Sequence, residues 1–310
     1  MSRSGAGSAV AGVMAGDPAG GLFSSELPAE RSGPARRRAL VSGTLVGAAG
    51  VAATAALTVV IWHQQAQGRS PAAVAMASEH MENMGKFWAF PLLQASGLAG
   101  LVFAYLSVLL GLQQSARALG WLPLSYRQID RLHRQISLLV IALVLVHVVT
   151  TALDAMGDSW KTVLIPWQWA SQGWPQAVWG YTLGIIAVYL LAAVAPTFYL
   201  RRLIGTGRWR FLHRFVIIFY AFSIWHALIL GVDIGHYPWI RPLIWLAQIP
   251  LLALVIRRLA LPVRHSARLS PARLAAVRGA RYTLIAGSII AIAAVLVIAT
   301  TGHSGLIATV

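Results

Sequence analysis

Seven apolar runs, each long enough to cross a bilayer, constrain this chain more than any other feature. A helix needs roughly 20 predominantly apolar residues to span a hydrocarbon core of ~30 Å. Runs of that kind fall at about 39–62, 87–112, 133–153, 176–200, 211–232, 239–257 and 282–301. The third and fifth open on basic residues that can snorkel to the interface, so their edges are soft. The reading is an all-α polytopic membrane helix bundle of about seven transmembrane helices. Composition agrees: 11% of the residues are charged and the mean hydropathy is +0.67, whereas soluble domains carry about 25% charged residues. Residues 1–36 are rich in Gly, Ala, Ser and Pro and are expected to form a disordered cytoplasmic tail ahead of a membrane domain at 37–310. The first run is too long, and lies too far behind that tail, for a signal peptide.

The formal charge of +16 is high enough to raise nucleic acid as a partner, but its distribution argues against one. Of the 25 Lys and Arg residues, all but Arg69, Lys86, Lys161 and Arg241 fall ahead of the first run, or in every second connection and at its edges. That is the positive-inside pattern. It predicts a cytoplasmic N-terminus, an outside C-terminus and a multi-pass protein of the plasma or inner membrane. The basic charge reads as topology, with the lipid bilayer as partner and no nucleic acid.

The chain has no cysteine. This excludes thiolate-held iron–sulfur clusters, zinc–thiolate sites and covalent c-type heme attachment. No Gly-rich phosphate loop opens a βα unit, and the longest polar stretches are far shorter than the ~100 residues of a nucleotide- or flavin-binding domain. A reductant is therefore expected from elsewhere.

Histidine placement carries the chemistry. His133 and His147 lie on the third run, and His213 and His226 on the fifth. Ionisable side chains in a bilayer are costly and usually face a partner or cofactor inside the bundle. At 1.5 Å per residue, the 14-residue and 13-residue steps span ~21 and ~20 Å. Both helices are expected to run from inside to outside, so His133 matches His213 in depth near the cytoplasmic face. His147 likewise matches His226 nearer the outer face. Two cross-helix pairs make two bis-imidazole sites stacked along the membrane normal. Such ligation fills both axial positions of a heme iron and favours electron transfer over oxygen binding at the metal. One detail resists: at ~100° per residue, 14 steps fall ~40° short of whole turns but 13 fall ~140° short. A π-bulge or kink in the fifth span, or hemes rotated about the bundle axis, would be needed.

The segments LHRQISLLVIALVLVH (Leu132–His147) and WRFLHRFVIIFYAFSIWH (Trp209–His226) resemble the ligand helices of the ferric reductase-like transmembrane family. That family includes the membrane halves of ferric reductases and NADPH oxidases and the heme-binding subunit of the bacterial methionine sulfoxide reductase system. The likeness covers about 87–258. It implies two b-type hemes, the inner on His133 and His213 and the outer on His147 and His226. It also implies electrons entering from a cytoplasmic flavoprotein reductase or from quinol, with FAD only on a partner chain. They would leave to an extracytoplasmic acceptor, either ferric iron or a partner oxidoreductase. The family's oxidase members carry an arginine in an early span, and the second run here has none between Phe87 and Gln114. The first and seventh runs look like additions to the shared core.

Arg131, Arg134, Arg210 and Arg214 flank the inner ligands and could pair with heme propionates, although positive-inside topology accounts for the same placement. The arginines of 257–281 could dock an acidic flavoprotein or anionic lipid. Met76, Glu79, His80, Met81, Glu82 and Met84 crowd one outward loop, either a metal landing site or an interfacial turn. Trp160, Trp167, Trp169, Trp174 and Trp179 read as an aromatic belt that could also lid the outer site. His63, His236, His265 and His303 have no matched partner. The functional expectation is a transmembrane diheme cytochrome b. Alternatives are a membrane subunit dedicated to a periplasmic oxidoreductase, an oxygen-reducing branch member, and a heme-free transporter or scaffold.

Overall fold

The computed structural model describes residues 33–67, 69, 88–116, 124–153, 159–168, 175–231, 234, 237, 239–262 and 270–301. Met1–Val41 and Ser42–Val310 are separate compact units, and every described membrane-capable span lies within the second. Eleven helices make up the described chain in the order α1 (Gly33–Ala66), α2 (Ala89–Ser115), α3 (Tyr126–Leu153), α4 (Trp160–Leu164), α5 (Pro175–Val194), α6 (Thr197–Ile204), α7 (Thr206–His213), α8 (Val216–Leu230), α9 (Ile240–Leu246), α10 (Gln248–Ala260) and α11 (Pro271–Thr301). No strand occurs among the described residues.

Among the described residues six helical segments are long and apolar enough to cross a membrane, and a seventh is counted if α5 and α6, bent by 44° at Ala195–Pro196, form one span. The all-α polytopic bundle is therefore as expected, with adjusted edges. The third span begins at Tyr126 rather than 133, so His133 sits two turns inside a helix rather than at its mouth. The last helix begins at Pro271, which places Arg273, Arg278 and Arg281 on a helix rather than in a connection. Helix also begins at Gly33, inside the expected tail 1–36. The fourth run breaks where Pro196, lacking an N–H, interrupts the backbone ladder.

Helix α2 runs antiparallel to α3, and α5 antiparallel to α8; α10 and α8 also lie on α2, and α11 on α10 and α9. Val108, Ile136, Val140, Ala187, Phe219, Ile224 and Leu254 form a core joining α2, α3, α5, α8 and α10. The outward faces stay apolar, as at Leu145, Leu203 and Ile290, which suits a lipid solvent. Hydroxyls within the spans bond back to the preceding turn. Thr54 donates to Gly50 O, Ser96 to Leu92 O, Ser223 to Phe219 O and Ser288 to Leu284 O. Each satisfies a polar group where no water is at hand. Helix α1 comes close to α3 at Gly50, where a Cβ would lie 2.3 Å from Leu139 Cδ2.

The fifth span carries the distortion that the histidine spacing demanded, but in the opposite sense to a π-bulge. Helix α7 ends at His213 and α8 begins at Val216. Between them the amides of Arg214, Phe215, Ile217 and Ile218 bond three residues back, to Phe211, Leu212, Arg214 and Phe215. Such 3₁₀ bonding turns ~120° and rises ~2.0 Å per residue. With four of the 13 steps tightened, one for each such bond, the rotation becomes ~1380° and the rise ~21.5 Å. Those values match the 14 helical steps from His133 to His147, at ~1400° and ~21 Å. A π-turn would have unwound the helix and splayed the rings further apart.

Candidate functional site

The four histidines come together as two pairs. The ring centroids of His133 and His213 lie 6.1 Å apart with planes at 87°. Those of His147 and His226 lie 6.2 Å apart at 85°. A metal shared by two imidazoles sets a comparable spacing. With bonds of about 2.0 Å to each nitrogen, two rings on one metal must face each other across a gap of this kind. Among the described residues no cluster of three or more His, Asp or Glu could hold a bare ion. Pairs suit a group that brings its own equatorial ligands, as a porphyrin does.

Three of the rings are fixed in the same manner. His133 Nδ1 donates to Ser107 O, His147 Nδ1 to Leu93 O and His226 Nδ1 to Gly180 O, each at 2.9 Å. A carbonyl only accepts, so Nδ1 carries the proton and Nε2 keeps the lone pair that a metal needs. This bond also holds ring orientation, the usual service of a partner behind a metal-binding histidine.

Four residues beyond each accepting carbonyl stands a glycine: Gly97 after Leu93, Gly111 after Ser107 and Gly184 after Gly180. A Cβ there would lie 3.0 Å from His147 Cε1, 3.2 Å from His133 Cε1 and 2.5 Å from His226 Nδ1 respectively. Because a helical Cβ leans towards the N-terminus, the side chain at i+4 overlies the carbonyl of residue i. Only glycine leaves that carbonyl open to a second donor from a neighbouring helix. Gly97 and Gly111 are 14 residues apart, the same step as His133 to His147, so α2 is a two-seat cradle matched to α3. Ser107 adds a second support, with its hydroxyl 2.8 Å from that of Ser137, which itself donates to His133 O at 2.6 Å.

His213 is held differently. Its ring stacks on Trp209 at 5.4 Å and 27°, and Trp209 meets Phe198 edge-on at 6.0 Å. No hydrogen bond to its ring is found among the described residues. Phe198 follows directly on the α5–α6 bend, so the stack behind His213 is aromatic where the other rings have a carbonyl and a glycine.

Of the flanking arginines, Arg134 pairs with Asp130 at 3.0 Å, both half exposed. Arg131 is half-buried, while Arg210 and Arg214 are exposed. At the other pair, Arg241 Nη2 donates to Leu228 O at 3.2 Å, two residues beyond His226. Nothing in the spacing of the chain had singled that arginine out. Trp160, Trp167 and Trp179 are exposed, and Trp167 N–H donates to Thr182 Oγ1 at 3.2 Å, tying the tryptophan segment to α5. His63 lies 2.8 Å from Gln67 on α1. Met76–Met84, Trp169, Trp174, His236, His265 and His303 lie outside the described residues.

Residues 96–224 match the family described as Ferric reductase like transmembrane component. That segment, less than half of the chain, resembles a ferric reductase-like transmembrane domain. No curated protein and no solved structure matches the chain. The match takes in His133, His147, His213 and all three cradle glycines, and it stops just short of His226. Ferric reductase-like domains are membrane electron-transfer components that generally bind heme and work with redox partners. The residues present fit such a group: two facing imidazole pairs, three Nδ1 donors that free Nε2, and glycine seats behind the rings.

Proposed function

We propose that this ferric reductase-like protein is a diheme cytochrome b that passes electrons across the bilayer, from a cytoplasmic flavoprotein or quinol donor to an extracytoplasmic acceptor. His133 and His213 would hold the inner heme, and His147 and His226 the outer, within a core at about 87–258. Bound heme supplies a one-electron carrier at each pair. The chain's own work is to fix the ligands. Nδ1–H bonds to backbone carbonyls keep Nε2 unprotonated, the glycines admit the rings, and the apolar core of Val140, Phe219 and Ile224 keeps water away. With both histidines of a pair holding it, each heme would carry electrons rather than bind oxygen. Arg131, Arg134, Arg210 and Arg214 would balance carboxylates at the inner end.

The observation that carries this reading is the pair of ring separations, 6.1 and 6.2 Å, at two levels of the same two spans. The test uses proteoliposomes with dithionite sealed inside and an impermeant ferric chelate outside. Protein-dependent reduction of the chelate is expected, and His147→Ala should abolish it. No reduction above protein-free vesicles would overturn the proposal.

A further inference from the structure

Gln94 is the described carboxamide whose two polar atoms, Oε1 and Nε2, are both buried without a partner. The residue is 9% exposed, and it sits on the second turn of α2, inside a membrane span. A buried amide left unpaired carries its full desolvation cost, and a bilayer offers no water to relieve it. Nothing in the packing of α2 requires an amide at this position, since an apolar residue of the same length would fill the space without that cost.

Its surroundings say what it serves. Gln94 follows Leu93, whose carbonyl receives His147 Nδ1. It precedes by three residues Gly97, whose missing Cβ admits the same ring, and residues three apart share a helix face. Gln94 therefore stands on the face of α2 that receives His147, at the level of the His147–His226 pair. Arg131, Arg134, Arg210 and Arg214 all lie at the other pair, and the cation at this level, Arg241, donates to Leu228 O. The other pair has its own orphan beside it: the indole Nε1 of Trp209, which stacks on His213, is likewise buried without a partner.

We infer that Gln94 is a positioning residue that hydrogen-bonds a carboxyl side arm of the heme held by His147 and His226. This rests on the diheme reading. Of the substituents of a b-type heme, only the propionates offer hydrogen-bonding atoms. Their oxygens accept from Nε2–H, and a protonated carboxyl also donates to Oε1.

The experiment measures heme release from detergent-solubilised full-length protein to excess apomyoglobin, with both hemes resolved by redox potentiometry. Gln94→Met keeps side-chain length and removes both polar atoms. It is expected to speed release of one heme on the order of tenfold, as for loss of a hydrogen bond to a charged group, and to lower that heme's midpoint. The other heme should not change. Gln94→Asn, which keeps the amide but shortens its reach, should fall between, and it serves alone if the methionine variant does not fold. In a His147→Ala background neither substitution should alter the remaining heme. Unchanged release in Gln94→Met, or equal acceleration of both hemes, would overturn the inference and leave a buried water or plain packing as the role of Gln94. If wild-type protein does not hold two hemes, it is the diheme reading that fails, before Gln94 is touched.

Discussion

The His147–His226 pair and the His133–His213 pair have nearly the same ring separation but are built differently. Both rings of the first are tied through Nδ1 to a carbonyl on a neighbouring helix and rest against a glycine. In the second, His133 is tied in this way and His213 relies on Trp209. The difference follows from the backbone. Helices α2, α3 and α5 are regular where they meet the rings, so carbonyl and glycine can be offered at fixed spacing. His213 sits at the end of α7, beside the 3₁₀ turn that brings it into phase with His226, and its stacking partner Trp209 packs on Phe198, just past the α5–α6 bend. The tightening that aligns the two histidines leaves one of them at a helix end, with less to hold it.

Removing a ligand gives the largest effect on this comparison. His226→Ala should reduce heme from two per chain to one, with the remaining heme retaining a low-spin spectrum; His133→Ala should do the converse. Next comes Gly184→Ala. Its new methyl would lie 2.5 Å from a ring nitrogen that cannot yield without breaking its bond to Gly180. Overpacking of this kind typically costs about 1–3 kcal/mol, and most of the outer heme should be lost on purification. Gly111→Ala, at 3.2 Å from His133 Cε1, should keep both hemes and shift only the inner midpoint. If both alanine variants behaved alike, the glycine seats would not be what fixes the rings.

The unequal clamping also predicts an order of release. Under graded denaturant, heme should leave the His133–His213 pair first, and Trp209→Leu should widen the gap between the two steps. Simultaneous release would remove the distinction. The smallest effect concerns the arginines. Arg134 shares its charge with Asp130, and an exposed i,i+4 pair contributes only about 0.3–0.5 kcal/mol. Arg134→Gln should therefore move the inner midpoint less than Arg214→Gln does.

The apolar runs and the four histidines were legible in the sequence because both obey simple periods, helix length against bilayer thickness and a 14-residue step in depth. The 13-residue step was legible as a contradiction, and the contradiction pointed to the right place. Its resolution was not legible, because whether a helix tightens or loosens depends on which backbone bonds the neighbours leave in place. The glycine seats were missed since glycine is common in membrane helices for many reasons. Their signal was the repeat of the histidine spacing in Gly97 and Gly111. Gln94 carried no sequence signal at all, because an amide near a helix end reads as interfacial until its burial is known. Arg241 was set aside as one of the few outside cations, and its proximity to His226 arises only from how α9 folds back on α8.

The most direct test of the central claim is a reduced-minus-oxidised optical spectrum of the purified full-length protein, with heme quantified per chain. The account predicts two low-spin b-type hemes per chain, falling to one in either His147→Ala or His226→Ala. A colourless protein from cells supplied with ample heme, or two hemes retained in both variants, would contradict it.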